Sequence, residues 1–195
     1  MRTAEIERNT QETRIKLYLN LDGTGKREIN TGCGFLNHML DLFARHGDFD
    51  LNIVCDGDID VDYHHTTEDI GICLGQAFTK ALGDKRGVTR YGQFLLPMDE
   101  VLILCAVDLS GRDFLGWQVK LLSPKVGDFD TELAQEFWLG FVRNCPASVH
   151  IVEMAGENTH HVIEAIFKGM GRALKTAVAL DDKHIDEIPS TKGIL

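Results

Sequence analysis

The sequence DYHHTTE at residues 62–68 recurs in altered form as NTHHVIE at residues 158–164. The first histidines of the two segments, His64 and His160, are 160 − 64 = 96 residues apart, about half of the 195-residue chain. The residues that follow match at the same offset, with Ile70, Gly75, Ala77 and Ala81 corresponding to Ile166, Gly171, Ala173 and Ala177. We infer that one unit is used twice, and that both copies form the first turn of the same kind of helix.

Helical geometry indicates what this motif can bind. Residues three or four positions apart share a helix face, so the first histidine of each copy can act with the glutamate four residues later. The helical period turns the second histidines, His65 and His161, about 100° away. We therefore predict two metal sites, each built from the HxxxE pair of one repeat and the second histidine of the other, in the same subunit or in another. Imidazole and carboxylate without thiolate suit Mn(II), Fe(II), Co(II) or Zn(II) and disfavour a structural zinc finger.

A further histidine, His38, lies among apolar residues in GFLNHML, residues 34–40. Alone, such a histidine is more often a core residue than a ligand. The corresponding helix of the second half carries Glu136, and 136 − 38 = 98 is close to the spacing of the repeat. A ligand type on both equivalent helices favours metal binding, with positions left open for substrate. The predicted sets are His38, His65, His160 and Glu164 for one ion, and His64, Glu68, Glu136 and His161 for the other.

Composition describes a globular protein, because 44% of the residues are hydrophobic and only four are proline. The formal net charge of −10 argues against a nucleic-acid partner. No apolar run reaches the length that spans a bilayer, and the first residues lack a signal-peptide core. Five widely spaced cysteines fit reduced core residues better than disulfides or ligands. We expect a protein of the cytoplasm that does not bind membranes.

The pattern of apolar residues predicts an α+β fold of two ββαβα halves, with a four-helix layer packed against two β-sheets. Residues 22–25, with two glycines, are predicted to turn the strand 13–21 back on itself as a hairpin. Segments 83–92 and 123–130 are predicted to be linkers. The chain is predicted to be one domain, 1–195, with halves of about 1–92 and 93–180 and a C-terminal substrate-binding tail, 181–195. The remaining predicted strands are 49–55, 100–109, 114–121 and 148–152, and the predicted helices are 35–45, 66–82, 131–143 and 162–180.

Basic residues on predicted loops form a second group of candidates. Arg90 and Arg112 lie in glycine-containing segments, and the tail contains PSTKG at residues 189–193. Arginine, serine and lysine on loops are the residues that bind a phosphate group. Each alone is more often a solvated surface residue, so their significance depends on the metal motifs.

With these residues in view, the whole chain resembles the imidazoleglycerol-phosphate dehydratase family of histidine biosynthesis. Several specific segments match in the right order. They are RNTQET at 8–13, LDGTG at 21–25, GFLNHML at 34–40, HHTTED at 64–69, AGENTHH at 155–161 and PSTKG at 189–193.

The resemblance implies dehydration of D-erythro-imidazole glycerol phosphate to imidazole acetol phosphate at a site with two Mn(II) ions. It also implies an assembly of 24 subunits with sites at subunit contacts. One departure is Glu136, where many family members carry histidine; a carboxylate can still bind Mn(II), but it changes the charge of the second metal site. The substrate-binding residues implied are Glu12, His38, His46, His64, His65, Arg90, Arg112, His160, His161, Lys168, Ser190, Thr191 and Lys192.

The implied reaction removes a carbon-bound hydrogen that is not acidic, so it needs a general acid/base. Glu12 is the preferred candidate because it lies outside both metal sets and matches a functional position of the family. Glu68 and Glu164 are the other predicted catalytic carboxylates. Two other kinds of protein could use the same ligands, a metal-dependent hydrolase and a non-catalytic, metal-assembled storage shell. The loop cations and Glu12 weigh against storage.

Overall fold

The computed structural model describes the whole chain, residues 1–195, and each half forms a four-stranded sheet and two helices. The first half contains β1 (Thr3–Asn9), β2 (Thr13–Asn20), β3 (Arg27–Asn30), α1 (Gly34–Gly47), β4 (Asp50–Gly57) and α2 (His64–Leu82). The second half contains β5 (Tyr91–Met98), β6 (Val101–Asp108), β7 (Phe114–Gln118), β8 (Lys125–Val126), β9 (Phe129–Asp130), α3 (Leu133–Asn144), β10 (Ser148–Ala155) and α4 (Thr159–Val178).

The two sheets have equivalent topologies. Their strand orders are β1-β2-β4-β3 and β5-β6-β10-β7. In each sheet the last strand, β3 or β7, runs parallel to its neighbour, and the other pairs are antiparallel. The predicted α+β class with duplicated halves is therefore confirmed.

Each half begins with one more strand than predicted. The first extra strand, β1, is an edge strand that fully buries only Ala4, and its apolar residues, Ala4 and Ile6, alternate with glutamates over too short a stretch to indicate a strand. The second, β5, starts inside the predicted linker 83–92 and contains a glycine and a proline. Its Gly92 is required by packing, because a Cβ there would lie 1.9 Å from the carbonyl oxygen of Ala173 on α4.

The predicted hairpin around residues 22–25 is wrong. Strand β4 lies between β2 and β3, and Ile53 pairs with Leu17 on one side and Ile29 on the other. The loop is held by Asp50 at the start of β4, whose Oδ1 accepts hydrogen bonds from the backbone amides of Thr24 and Lys26. A glycine-rich turn signal cannot reveal that a strand distant in sequence inserts between its flanks.

The predicted linker 123–130 also contains structure, because β8 and β9 pair as a short antiparallel ribbon. This ribbon lies in an insertion of the second half. Ile29 of β3 pairs with Ile53 of β4, and Trp117 of β7 pairs with Ile151 of β10. Ile29 and Trp117 are therefore equivalent positions, separated by 117 − 29 = 88 residues. Beyond the ribbon the offset rises to 151 − 53 = 98. The spacing of the duplication is therefore 88 residues before the insertion, 98 after it and 96 at the repeated motif.

The helices pair across the two halves. Helix α1 packs against α4 and α2 against α3, while α2 also covers β1 and β2, and α4 covers β5 and β6. One hydrophobic core of 50 buried residues joins both halves. At its centre the rings of Phe43 and Trp138 lie 6.0 Å apart, and full burial of such a side chain contributes about 1.5–3 kcal/mol. The predicted four-helix layer against two sheets is confirmed.

None of the four helices combines the length and the apolar composition that are needed to cross a lipid bilayer.

Candidate active site

The repeated motif lies at the first turns of α2 and α4. Asn158 caps α4, with its Oδ1 accepting hydrogen bonds from the backbone amides of His160 at 3.0 Å and His161 at 3.3 Å. At the start of α2, Asp62 Oδ1 accepts from the backbone amide of His64 at 2.7 Å. Side-chain acceptors of this kind satisfy amides that a helix N-terminus leaves unpaired. The capping contacts therefore fix the backbone that carries both histidine pairs.

Three predicted ligands from both halves come together in one chain. Glu164 Oε2 lies 3.1 Å from His160 Nε2 and 3.6 Å from His38 Nε2. The three ligand atoms all lie within 4.8 Å of one another, although His38 and Glu164 are far apart in sequence. The packing of α1 against α4 produces this group.

Lys168 determines which oxygen of Glu164 is available to a ligand. Its Nζ lies 2.5 Å from Glu164 Oε1, so the other oxygen, Oε2, faces the two histidines. Burial of Glu164 raises the pKa of its carboxyl, but the hydrogen bond from Lys168 and the neighbouring histidines outweigh burial, and the pKa lies below its ordinary value. The carboxylate is therefore ionised and ready to bind a cation.

The equivalent group on the other helix pair is more open. His64 Nε2 lies 3.7 Å from Glu68 Oε2 at the start of α2. Glu136 is half-buried on α3, which packs against α2 as α1 packs against α4, and its side chain forms no hydrogen bond or ion pair. Its role as a fourth ligand stays a prediction.

The second histidines of the motif point elsewhere. His65 Nδ1 lies 2.9 Å from Asp58 Oδ2, and His65 Nε2 lies 3.6 Å from Glu12 Oε1. In the second half, His161 Nδ1 lies 3.1 Å from Glu100 Oε2. Thus neither histidine joins His38, His160 and Glu164, which we call the three-ligand group, and His161 instead lies with Asp99 and Glu100 in a second cluster of possible ligands. The hydrogen bond with Asp58 raises the pKa of His65 above its ordinary value, and the hydrogen bond with His161 holds the pKa of Glu100 below its ordinary value.

The cysteines take no part in these groups. All five are free and buried, as predicted for core residues. Burial raises the pKa of the Cys55 thiol to about 11, so this side chain stays protonated at neutral pH. The available donors are therefore imidazoles and carboxylates, a set that fits a divalent transition metal such as Mn(II).

The cavity beside the three-ligand group has a volume of about 360 Å³. His38, His160 and Phe35 line it, together with Tyr63 and the ribbon residues 126–129. The ring of Phe35 packs edge-on against His160, with centroids 5.2 Å apart. The inserted ribbon thus forms one wall beside the histidines.

The predicted tail residues lie next to the second sheet. Arg90 forms an ion pair with Asp108, with Nε 2.7 Å from Oδ1, and its Nη1 donates to the carbonyl oxygen of Pro189 at 2.9 Å. The hydrogen bond with Asp108 raises the pKa of Arg90. Residues Ser190, Thr191 and Lys192 follow directly, so Arg90 anchors the start of the predicted substrate-binding segment.

The end of the chain meets the other predicted phosphate loop. A Cβ on Gly111 would lie 2.8 Å from the carbonyl carbon of Leu195, so the C-terminus packs against the residue before Arg112.

A separate basic region surrounds His46 on α1. Burial lowers the pKa of His46, and the charges of Arg172 and Lys168 lower it further.

Sequence reasoning missed the carboxylates that contact the second histidines, Asp58 and Glu100. Glu100 could have been found, because its hairpin turn in the second half is equivalent to the turn that holds Glu12 in the first, at an offset of 100 − 12 = 88. The motif spacing of 96 hid this equivalence. No comparable signal marks Asp58, whose contact with His65 depends on the loop that follows β4.

This fold and these groups of histidines and carboxylates define an α+β protein with a candidate site for divalent metal ions. Comparison with known proteins identifies its family. Residues 31–174 match the family model described as imidazoleglycerol-phosphate dehydratase. The chain belongs to the imidazoleglycerol-phosphate dehydratase family, whose members are hydro-lyases.

Relatives match over the full length. The chain is 55% identical over 195 residues to the imidazoleglycerol-phosphate dehydratase of Xanthobacter autotrophicus, covering 100% of this chain and 99% of that protein. It is 53% identical to the one from Methylorubrum extorquens, with 100% of both covered. The crystal structure of the Staphylococcus aureus dehydratase superposes with a TM-score of 0.84 at 43% identity, covering 92% of this chain and 99% of that one. The crystal structure from Pyrococcus furiosus superposes with a TM-score of 0.83 at 36% identity, covering 97% of this chain and 100% of that one.

Proposed function

We propose that this enzyme converts D-erythro-imidazole glycerol phosphate to imidazole acetol phosphate in L-histidine biosynthesis, using two Mn(II) ions per active site. The observation that carries the proposal is the group formed by His38, His160 and Glu164, in which both halves supply ligand atoms within 4.8 Å of one another. Membership of the family supplies the reaction and the substrate.

The residues present fit such a metal. Glu164 Oε2 faces two imidazole nitrogens, while Lys168 satisfies the other oxygen of the same carboxylate. The proposed sets are His38, His65, His160 and Glu164 for one ion, and His64, Glu68, Glu136 and His161 for the other. When bound, the ions would supply Lewis-acid chemistry that stabilises negative charge on the imidazole ring of the substrate.

The protein's own residues would move the proton and hold the substrate. The reaction breaks a C–H bond and the neighbouring C–O bond, forms a carbon–carbon double bond and releases water, and the resulting enol becomes the ketone. Glu12 is suited to proton transfer because its side chain is 52% exposed, forms no hydrogen bond and lies 3.6 Å from His65 Nε2. We assign it this role.

We assign phosphate binding to Arg90, Arg112, Ser190, Thr191 and Lys192. Two contacts support this assignment, the hydrogen bond from Arg90 to Pro189 and the packing of Leu195 against Gly111, since both bring the tail to the arginine loops. Contacts at the phosphate, remote from the reacting carbons, would orient the substrate. His46 and Lys168 are proposed to contact the substrate from the helix layer.

We further propose that the sites are completed at contacts between subunits of a 24-subunit assembly. His65 and His161 support this idea, because each has its Nδ1 beside a carboxylate of its own chain while its ring stays apart from the three-ligand group. Their second ring nitrogens could then serve another copy. The buried, free cysteines fit the predicted cytoplasmic location, where thiols stay reduced.

The test is product formation by metal-stripped protein, with and without added Mn(II), followed through the enolisable ketone. We expect imidazole acetol phosphate to appear only with metal. Release of phosphate without ketone would instead indicate a hydrolase. Metal-dependent assembly without any turnover would indicate a storage shell, and either result would contradict the proposal.

A further inference from the structure

A buried polar contact ties the first hairpin to helix α2. Asp69 is 7% exposed, and its Oδ2 accepts a hydrogen bond from Thr13 Oγ1 at 2.5 Å. Its Oδ1 lies 2.8 Å from Arg8 Nη2. Since Arg8 is on β1 and Thr13 begins β2, one carboxylate of the helix holds both strands beside their turn.

The second half has no such contact at the equivalent positions. The hairpin offset of 88 makes Leu96 the counterpart of Arg8 and Val101 the counterpart of Thr13, and the helix offset of 96 makes Ala165 the counterpart of Asp69. All three residues are buried and apolar. In the second half the same fold forms with apolar residues at these positions. Packing alone therefore does not explain why the first half has Arg8, Thr13 and Asp69.

The two turns also differ in what their glutamates do. In the second half, Glu100 accepts a hydrogen bond from the backbone amide of Asn158 at 3.0 Å and contacts His161, so its own carboxylate ties the turn to α4. Its counterpart Glu12 forms no hydrogen bond with its carboxylate and lies 3.6 Å from His65. The first turn is held to its helix by Asp69 instead.

We propose that Asp69, with Arg8 and Thr13, is a positioning device that holds the first hairpin turn against α2 and thereby leaves the Glu12 carboxylate free for proton transfer. His65 and Asp69 are four residues apart, so they share one face of α2. The hydrogen bonds continue from Asp69 through Thr13 to Thr10, whose Oγ1 accepts from the backbone amide of Glu12 at 3.1 Å. The proposal rests on the role assigned to Glu12 above.

The energetics give the proposal a sharp test. In this ion pair the Asp69 side chain is buried, whereas that of Arg8 is 33% exposed. A buried charge carries a desolvation cost, and replacement of a buried pair by packed apolar residues is often neutral or stabilising. A purely structural contact should therefore tolerate the residues of the other half. A positioning contact should not, because a small displacement of a catalytic group lowers the rate strongly.

The experiment transfers the second half's residues to the first, as Arg8→Leu, Thr13→Val and Asp69→Ala combined in the full-length, manganese-loaded protein. We expect kcat to fall about ten- to a hundredfold, KM to stay within about twofold, and the urea unfolding midpoint to stay at or above that of the parent. Combined with Glu12→Gln, the triple change should cause little further loss. The matched control is Asp56→Asn, which removes an exposed carboxylate beside Arg14 on the same sheet and should leave kcat unchanged.

An unchanged kcat in the triple variant would overturn the proposal. A lower unfolding midpoint with a parallel loss of substrate affinity would also overturn it, because it would show a structural role. If the triple change lowered kcat as strongly in the Glu12→Gln enzyme as in the parent, its effect would not act through Glu12. If Glu12→Gln itself turned over normally, the assignment of Glu12 would be wrong, which is distinguishable from a failure of the anchoring contact alone.

Discussion

At the scale of single residues, three glutamates of the site have three different environments. Glu164 is partly buried between Lys168 and two histidines, which keeps it ionised and directs one oxygen to the three-ligand group. Glu100 is tied to the start of α4. Glu12 alone is free of hydrogen bonds and still lies near a motif histidine. Environment thus separates a candidate ligand, an anchor and a candidate acid/base among chemically identical side chains.

The role of Glu12 leads to the first prediction. Glu12→Gln should keep metal content and assembly, because the residue belongs to neither metal set, but should lower kcat by about 10²- to 10⁴-fold. Turnover of imidazole glycerol phosphate is the measurement, and Glu7→Gln on β1, an exposed carboxylate 3.9 Å from Lys16, is the control. A Glu12→Gln enzyme with parental turnover would remove Glu12 from the mechanism.

Arg2 gives a second prediction, about pH. Its Nη2 lies 2.5 Å from Asp22 Oδ1, and its Nη1 donates to the carbonyl oxygen of Val178. The hydrogen bond with Arg2 lowers the pKa of Asp22. A carboxyl with a lowered folded-state pKa stabilises the fold above its unfolded pKa, and this contribution is lost as the pH falls through the folded value.

Arg2→Met should therefore lower the free energy of unfolding near pH 7, by no more than about 1 kcal/mol for the ion pair because Asp22 is partly exposed. The difference from the parent should shrink as the pH falls from about 4 towards 2. Urea unfolding at several pH values measures it. Arg14→Met, which removes an exposed arginine of the same sheet, is the control. A difference that does not depend on pH would contradict the assigned cause.

The ligand types and part of their grouping were predictable from the sequence. His38, His160 and Glu164 could be assigned to one set because the motif repeats and because residues four apart share a helix face. The contacts of His65 with Asp58 and of Asp69 with Arg8 depend on loop and strand positions that no local periodicity encodes.

At the scale of elements, glycines set the distance between paired helices. A Cβ on Gly75 of α2 would lie 2.4 Å from the carbonyl oxygen of Phe141 on α3, and one on Gly171 of α4 would lie 2.6 Å from that of Phe43 on α1. The two glycines are equivalent in the repeat. Since the helix pairs carry the candidate ligands, these close contacts also set the ligand geometry.

Gly75→Ala and Gly171→Ala should each destabilise the protein by about 1–3 kcal/mol, because overpacking outweighs the better helix propensity of alanine. Denaturant unfolding measures the change. Gly34→Ala is the matched control, since it lies at the start of α1 with no atom within 4 Å of the added Cβ. Equal stability of all three variants would show that the helix pairs can separate without cost.

Strong local patterns predicted the helices and the inner strands. The repeated motif marked α2 and α4 because both of its copies form first turns. Strand β1 was missed because only two apolar residues, Ala4 and Ile6, alternate with polar ones in this edge strand. The pairing of β4 between β2 and β3 was missed because it depends on contacts such as Leu17 with Ile53, which are distant in sequence.

At the scale of the whole molecule, we propose that one chain supplies three ligands of a site and another copy supplies the fourth. His38 and His160 belong to one chain's group, because both face Glu164 Oε2. His65 stays apart from that group and is held beside Asp58. The claim can be tested by mixing subunits that lack different ligands.

The most direct measurement is the manganese-dependent turnover of assemblies formed from two inactive variants. Subunits with His38→Gln mixed equally with subunits with His65→Gln should regain about one quarter of parental turnover, because some sites then draw each ligand from an intact copy. Subunits with His38→Gln mixed with His160→Gln should regain nothing, because those two histidines come from the same chain. Equal recovery, or none, in both mixtures would show that the ligands are not shared between subunits in this way.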